Sequence, residues 1–112
     1  ILGPDLVNAW HGRIINIHPS LLPLYPGLDT HARALADGVK LHGCTVHHVT
    51  EGVDEGPIIA QAALPVLPSD TPDSLAARVL NLEHKLYPAA LAAHLTGRAV
   101  PAREAAIFSL PV

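Results

Sequence analysis

Pro19, Pro23 and Pro26 follow directly on the β-branched run Ile14-Ile15-Asn16-Ile17-His18, and this placement constrains the chain more than any other feature. Each proline lacks a backbone N–H and biases its predecessor towards extended geometry, so neither a helix nor an interior strand can continue through them. A strand over residues 14–18 must therefore end in a stiff loop. Strand side chains alternate between faces, which puts Ile15 and Ile17 on one side and Ile14, Asn16 and His18 on the other. Two polar side chains then emerge together at a strand end, where open α/β sheets place ligand contacts.

The rest of the chain reads as strands and helices in mixed order, which indicates an α/β domain. Asp5 to His11 predicts a short helix, with Gly12-Arg13 turning into the first strand. Leu28 to Asp37 predicts a helix with Asp29 or Thr30 as cap and Gly38 as stop. Gly43 to Val49 predicts a strand with Cys44, Val46 and His48 on one face and Thr45, His47 and Val49 on the other. Thr50 to Pro57 carries two glycines, a proline and interspersed carboxylates, the composition of an acidic turn. Ile58 to Val66 resumes as a strand that Pro65 should end at an edge. Thr71 caps a long helix with Pro72 at its first position and Asp73 in its first turn, where negative charge meets the helix dipole favourably. Leu75, Val79, Leu82, Leu86, Ala90 and Ala93 step by three or four residues along its apolar face. Gly97 should terminate it and Pro88 should kink it. Arg98 to Val112 suits an edge hairpin or an extended segment.

Composition narrows the function. At 112 residues, 49% hydrophobic and 15% charged, the chain is one compact domain or part of one. A formal charge of -3 with seven scattered Lys and Arg gives no electrostatic reason for nucleic acid as a partner. The single cysteine, Cys44, cannot form an internal disulfide, and no apolar run is long enough for a membrane helix, so the cytoplasm is the expected compartment and no membrane partner is expected. The chain opens on Ile1-Leu2-Gly3-Pro4 and contains no methionine, which reads as a fragment with sequence missing before Ile1.

Three residues could do chemistry together. The Asn16 amide can donate to a developing oxyanion, His18 can pass a proton at neutral pH, and Asp54 from the glycine-flanked loop could hold the cationic imidazole. Spacing alone leaves a structural alternative open, in which Asn16 and His18 satisfy backbone groups at a strand-loop junction and Asp54 belongs to a solvated turn. Eight histidines raise a further alternative, a metal-binding or assembly module around the adjacent His47 and His48. Neighbouring strand residues point to opposite faces, however, and Cys44 has no C-x-x-C partner, so no metal is expected.

The string Ile15-Asn16-Ile17-His18-Pro19-Ser20-Leu21-Leu22-Pro23, followed by Tyr25-Pro26-Gly27-Leu28-Asp29-Thr30-His31, resembles the signature of the phosphoribosylglycinamide formyltransferase family. His42-Gly43-Cys44-Thr45-Val46-His47, Val53-Asp54-Glu55-Gly56-Pro57-Ile58-Ile59-Ala60-Gln61, Ala77-Arg78-Val79, Glu83-His84 and Leu86-Tyr87-Pro88 follow in that family's order. The resemblance implies a formyltransferase-type, Rossmann-like mixed sheet flanked by helices, with residues 1–112 forming its C-terminal catalytic portion. It implies Asn16, His18 and Asp54 as catalytic residues, 10-formyltetrahydrofolate as co-substrate without a metal, and the amine of phosphoribosylglycinamide as acceptor in purine synthesis. Ile1, Leu2 and the loop Thr50, Glu51, Gly52, Val53 and Asp54 match the family's pterin-binding segments. Leu80 and Glu83 fall where the family contacts the glycinamide substrate, although some members carry a polar residue at the position of Leu80.

The same resemblance implies a preceding half whose glycine-rich loop grips the substrate phosphate, and no such loop lies among the eight dispersed glycines here. A homodimer is compatible with it. Formyltetrahydrofolate deformylase, in which water replaces the amine, is the nearest alternative activity, but the Pro19-Ser20 and Pro26-to-His31 pattern looks more like the purine enzyme.

Overall fold

The computed structural model describes residues 14–52 and 54–97, together with the backbone of Ile107–Ser109. The expected helix Asp5 to His11, the Gly12-Arg13 turn, the Ile1-Leu2 contact and Val53 lie outside the described residues. Among the described residues, four strands and two helices follow in the order β1 (Ile15–His18), α1 (Thr30–Asp37), β2 (Leu41–His48), β3 (Ile58–Pro65), α2 (Pro72–Thr96) and β4 (Ile107–Ser109). The sheet order is β1-β2-β3-β4 and every pairing among the described strands is antiparallel. The fold class is α/β, as the alternation of elements predicts.

Helix α2 forms where its capping signals stand. The Thr71 hydroxyl accepts from the Ser74 amide at 3.2 Å and the Ser74 hydroxyl accepts from the Thr71 amide at 2.9 Å, so two otherwise orphaned donors are satisfied reciprocally. Gly97 ends the helix at φ 69°, a left-handed conformation that costs glycine little. The helix runs unbroken through Pro88. Its predicted apolar face is buried at all six positions, Leu75, Val79, Leu82, Leu86, Ala90 and Ala93, against Cys44, Val46, Ala60 and Ala62 of the sheet. Ile15 and Ile17 pack against the same core, which commits the alternate residues of β1 to the opposite face.

Two local expectations need correction. Asp29 stands at the N-cap of α1 but makes no side-chain cap hydrogen bond, because its backbone is left-handed at φ 56° instead of extended. The Thr30 hydroxyl instead donates to the Pro19 carbonyl at 2.6 Å and ties the helix start to the end of β1. Pro65 ends β3 but not at a sheet edge, since β3 lies between β2 and β4; Pro65 is tolerated there because it is the last residue of the strand, opposite Leu41. The tail joins the sheet as β4, in keeping with the extended segment expected there.

The proline loop is held to the sheet's second face by a buried hydroxyl. Thr45 donates to the Ser20 carbonyl at 2.7 Å and accepts from the Leu22 amide at 3.1 Å. The Gln61 amide donates to the same hydroxyl at 3.1 Å and to the Leu22 carbonyl at 2.9 Å. These bonds replace the ladder that the prolines prevent, and they fix where the loop passes over β1 and β2.

Helix α1 meets β2 through two histidines, with His31 Nδ1 and His42 Nε2 3.1 Å apart, a distance at which the two rings share one hydrogen. Burial, then the neighbouring His31 and His18, pushes His42 down to about 4, and burial lowers His31 as well. A depressed histidine stabilises the fold fully above its unfolded value and loses that contribution as pH falls towards the folded one. Stability of the full-length protein should therefore fall between about pH 6.5 and pH 4, with His42 accounting for on the order of 3 kcal/mol. Urea midpoints measured across this window should slope less for His42→Gln than for the wild type; parallel slopes would remove His42 as the cause.

Candidate active site

The face of the sheet opposite the core gathers the polar residues. In the β1–β2 register, Asn16 stands opposite His47 and His18 opposite Thr45, so these four residues share one face. His18 is buried and Asn16 is exposed, which places the amide at the rim and the imidazole within. The His18 Nε2–H donates to the Tyr25 carbonyl at 2.8 Å; a carbonyl can only accept, so the hydrogen on this nitrogen is assigned. His18 Nδ1 lies 3.3 Å from Asp54 Oδ2, an ion pair when the ring carries both hydrogens. The side chains of the pair are 7% and 13% exposed, so the contact is shielded from the screening that weakens surface ion pairs.

Asp54 arrives from the loop between β2 and β3. Its backbone is left-handed at φ 54°, a conformation that aspartate tolerates better than bulkier residues do, and this turns the carboxylate back over β1. Asp54 Oδ2 also accepts from the Gly27 amide at 2.9 Å, so one carboxylate oxygen joins the proline loop to His18. The second oxygen, Oδ1, lies 3.7 Å from His47 Nε2. The structure thus brings His18 and Asp54 into contact and places Asn16 two residues away on the same strand face. Imidazole, carboxylate and amide at such spacing can move a proton and hold a developing negative oxygen.

One cleft includes Asp54 of this centre, and a second opens between β1 and α2 on the other face of the sheet. One, of about 330 Å³, is lined by Leu22, Pro23, Pro26, Asp54, Glu55, Gly56 and Ile58. The other, of about 410 Å³, is formed by Ile17 with Leu80, Glu83, His84, Tyr87 and Pro88. Leu80 and Glu83 therefore stand together at one opening. Burial raises the Glu83 carboxyl above the ordinary range, partly offset by His84 and His18. Thr50 and Gly52 are half-buried in the Asp54 loop and Glu51 is exposed, while Ile1, Leu2 and Val53 fall outside the described residues. Among the described residues, no group of three or more His, Cys, Asp or Glu is arranged to hold a metal ion. The sequence reading did not assign His47, the Tyr25 carbonyl or the Gly27 amide to this centre. Only the strand register and the loop's path bring them there, and neither has a one-dimensional signature.

Comparison with known proteins shows the family to which the chain belongs. A family model described as formyl transferase matches residues 1–91. The phosphoribosylglycinamide formyltransferase of Escherichia coli (strain K12) is 49% identical over 98 residues, covering 88% of this chain and 46% of that protein. A crystal structure of phosphoribosylglycinamide formyltransferase from Anaplasma phagocytophilum superposes with a TM-score of 0.85 at 44% identity, covering 97% of this chain and 53% of that one. A formyltetrahydrofolate deformylase structure from Pseudomonas syringae superposes with a TM-score of 0.83 at 36% identity, covering 92% of this chain and 35% of that one. This chain thus spans about half the length, or less, of the proteins it matches here. With well over half of its own residues matched by the family model, the chain belongs to the formyl transferase family.

Proposed function

We propose that the chain carries the catalytic portion of an enzyme that transfers a formyl group from 10-formyltetrahydrofolate to the amine of phosphoribosylglycinamide. The observation that carries this reading is the His18–Asp54 pair, 3.3 Å apart and shielded, with Asn16 on the same strand face. The acceptor and the formyl transfer come from the names of the relatives, most of which are phosphoribosylglycinamide formyltransferases or trifunctional purine biosynthetic proteins, and the folate donor from the sequence's resemblance to that family. In this reading the folate meets the Asp54 loop from Thr50 to Asp54 together with Ile1 and Leu2, and the glycinamide portion meets Leu80 and Glu83. The reaction runs in the cytoplasm without a metal, and the assembled enzyme is proposed as a homodimer with neither nucleic acid nor membrane as a partner.

The amine nitrogen attacks the formyl carbon, and the carbonyl oxygen becomes an oxyanion. The Asn16 amide donates to it. The His18 Nε2–H, released from the Tyr25 carbonyl, donates as well, while Asp54 holds the other ring nitrogen and stabilises the imidazolium. The amine proton leaves through a water molecule to Asp54 and passes on to the folate nitrogen as its bond to the formyl carbon breaks. No bond to the enzyme is formed.

Removing one oxyanion donor typically costs about 2.7 to 4 kcal/mol, so Asn16→Ala in the full-length protein should lower kcat by roughly 100- to 1,000-fold. An undiminished rate would remove Asn16 from the site. The deformylase likeness keeps hydrolysis as a second reading. Measuring formylated phosphoribosylglycinamide against free formate in one reaction separates the two: formate as the sole product would establish hydrolysis instead.

A further inference from the structure

His47 lies behind the carboxylate in a position that packing alone does not account for. The register slips between Val46 and His47, so that His47 pairs with Ile58 where an unbroken ladder would place its neighbour. Such bulges re-aim a side chain. His47 is buried, and its Nδ1 lies 3.0 Å from the His48 carbonyl oxygen. That oxygen is itself immobilised, because Gly56 packs so closely on it that a Cβ there would overlap it. A carbonyl only accepts, so Nδ1 carries a hydrogen, and in the neutral form of the ring Nε2 presents a bare lone pair. This Nε2 is buried, has no hydrogen-bond partner and stands 3.7 Å from Asp54 Oδ1. Meanwhile Oδ2 is already occupied by His18 and the Gly27 amide. A buried acceptor facing a carboxylate oxygen is unsatisfied until that oxygen acquires a hydrogen.

We propose that His47 is a positioning residue that receives the hydrogen bond from Asp54 Oδ1 when that oxygen takes up the amine proton during formyl transfer. The inference rests on the function proposed above. An N–H bond of the attacking amine breaks and an O–H bond forms on Oδ1, directly or through the relaying water; the new O–H donates to the Nε2 lone pair. The same O–H bond breaks when the proton moves on to the departing folate nitrogen, and His47 ends the cycle as it began. His18 serves the oxyanion from Oδ2, and His47 serves the transferred proton from Oδ1.

The test uses the full-length protein. His47→Asn keeps a donor near Nδ1 for the His48 carbonyl but places no atom where Nε2 stood, whereas His47→Gln restores an amide atom there. Expected is a fall in kcat of about 10- to 100-fold for the Asn variant with KM unchanged, the cost typical of losing a group that orients a functional ligand. Partial recovery is expected for the Gln variant. In an Asp54→Asn background the His47→Asn change should add no further loss, because the partner is already gone. A wild-type kcat for His47→Asn, or losses that multiply in the double variant, would overturn the inference. Nitrogen NMR of the wild-type protein gives a check independent of any variant's folding: the neutral Nδ1–H tautomer at His47 is expected, and a hydrogen on Nε2, in the other tautomer or in the imidazolium, would also overturn it. Absence of formyl transfer by the wild-type protein would instead bring down the functional reading and this inference with it.

Discussion

Asp54→Asn in the full-length protein is expected to lower kcat by about 100- to 10,000-fold, the range typical of losing a general acid–base group, with little change in thermal unfolding. The asymmetry follows from what Asn keeps and what it loses. An Asn carbonyl oxygen can still accept from the Gly27 amide, which Asp54 Oδ2 does at 2.9 Å, so the loop stays joined to the centre. The side chain also stays polar and similar in size, and the left-handed backbone at φ 54° suits Asn as well as Asp. The negative charge is lost. Without it nothing facing His18 Nδ1 favours the imidazolium, and no carboxylate oxygen remains to take a proton. Turnover and thermal midpoint measured on one preparation decide the matter. Wild-type turnover would place the proton path elsewhere, whereas a collapsed midpoint would make Asp54 a structural residue.

The sequence disclosed the parts of this molecule whose causes are local. The capping residues Thr71 and Gly97 and the six-residue apolar stripe of α2 could be read because a helix encodes its ends and its buried face within a few residues of each position. The end of β1 at His18 was legible because proline denies a hydrogen bond wherever it stands. What escaped depends on pairing. Asp29 stands where a cap should be, yet its backbone is left-handed, a conformation its own residue type does not announce. Pro65 suggested an edge, but edge or interior is decided by whether the tail returns as β4, a long-range event.

The site divides along the same line. Asn16 and His18 lie two apart on one strand, so their common face follows from alternation, and Leu80 and Glu83 lie three apart on one helix, close enough to share an opening. Asp54 was only a candidate from its glycine-flanked loop until the resemblance singled it out, because no periodicity connects a turn residue to a strand so far away in sequence. His47 was read as part of a histidine-rich stretch. Its relation to Asp54 appears only once the bulge and the loop's return are both in place.

The second large effect is on stability. Leu86→Ala should cost about 2 to 5 kcal/mol, the range for deleting a buried leucine side chain whose surroundings relax only partly. Leu86 is 0% exposed at the centre of the α2 stripe, with Leu82 and Ala90 one turn to either side, in a core cluster to which the sheet contributes Cys44, Val46, Ile59, Ala60 and Ala62. Leu95, on the same helix but 76% exposed, is the control: Leu95→Ala should change stability by less than about 0.5 kcal/mol. Since α2 also carries Leu80 and Glu83, a destabilised helix threatens the cleft as well as the core. Urea unfolding of the full-length protein compares the two variants directly. If Leu86→Ala were as stable as Leu95→Ala, the contact between α2 and the sheet would not be what holds the two layers together.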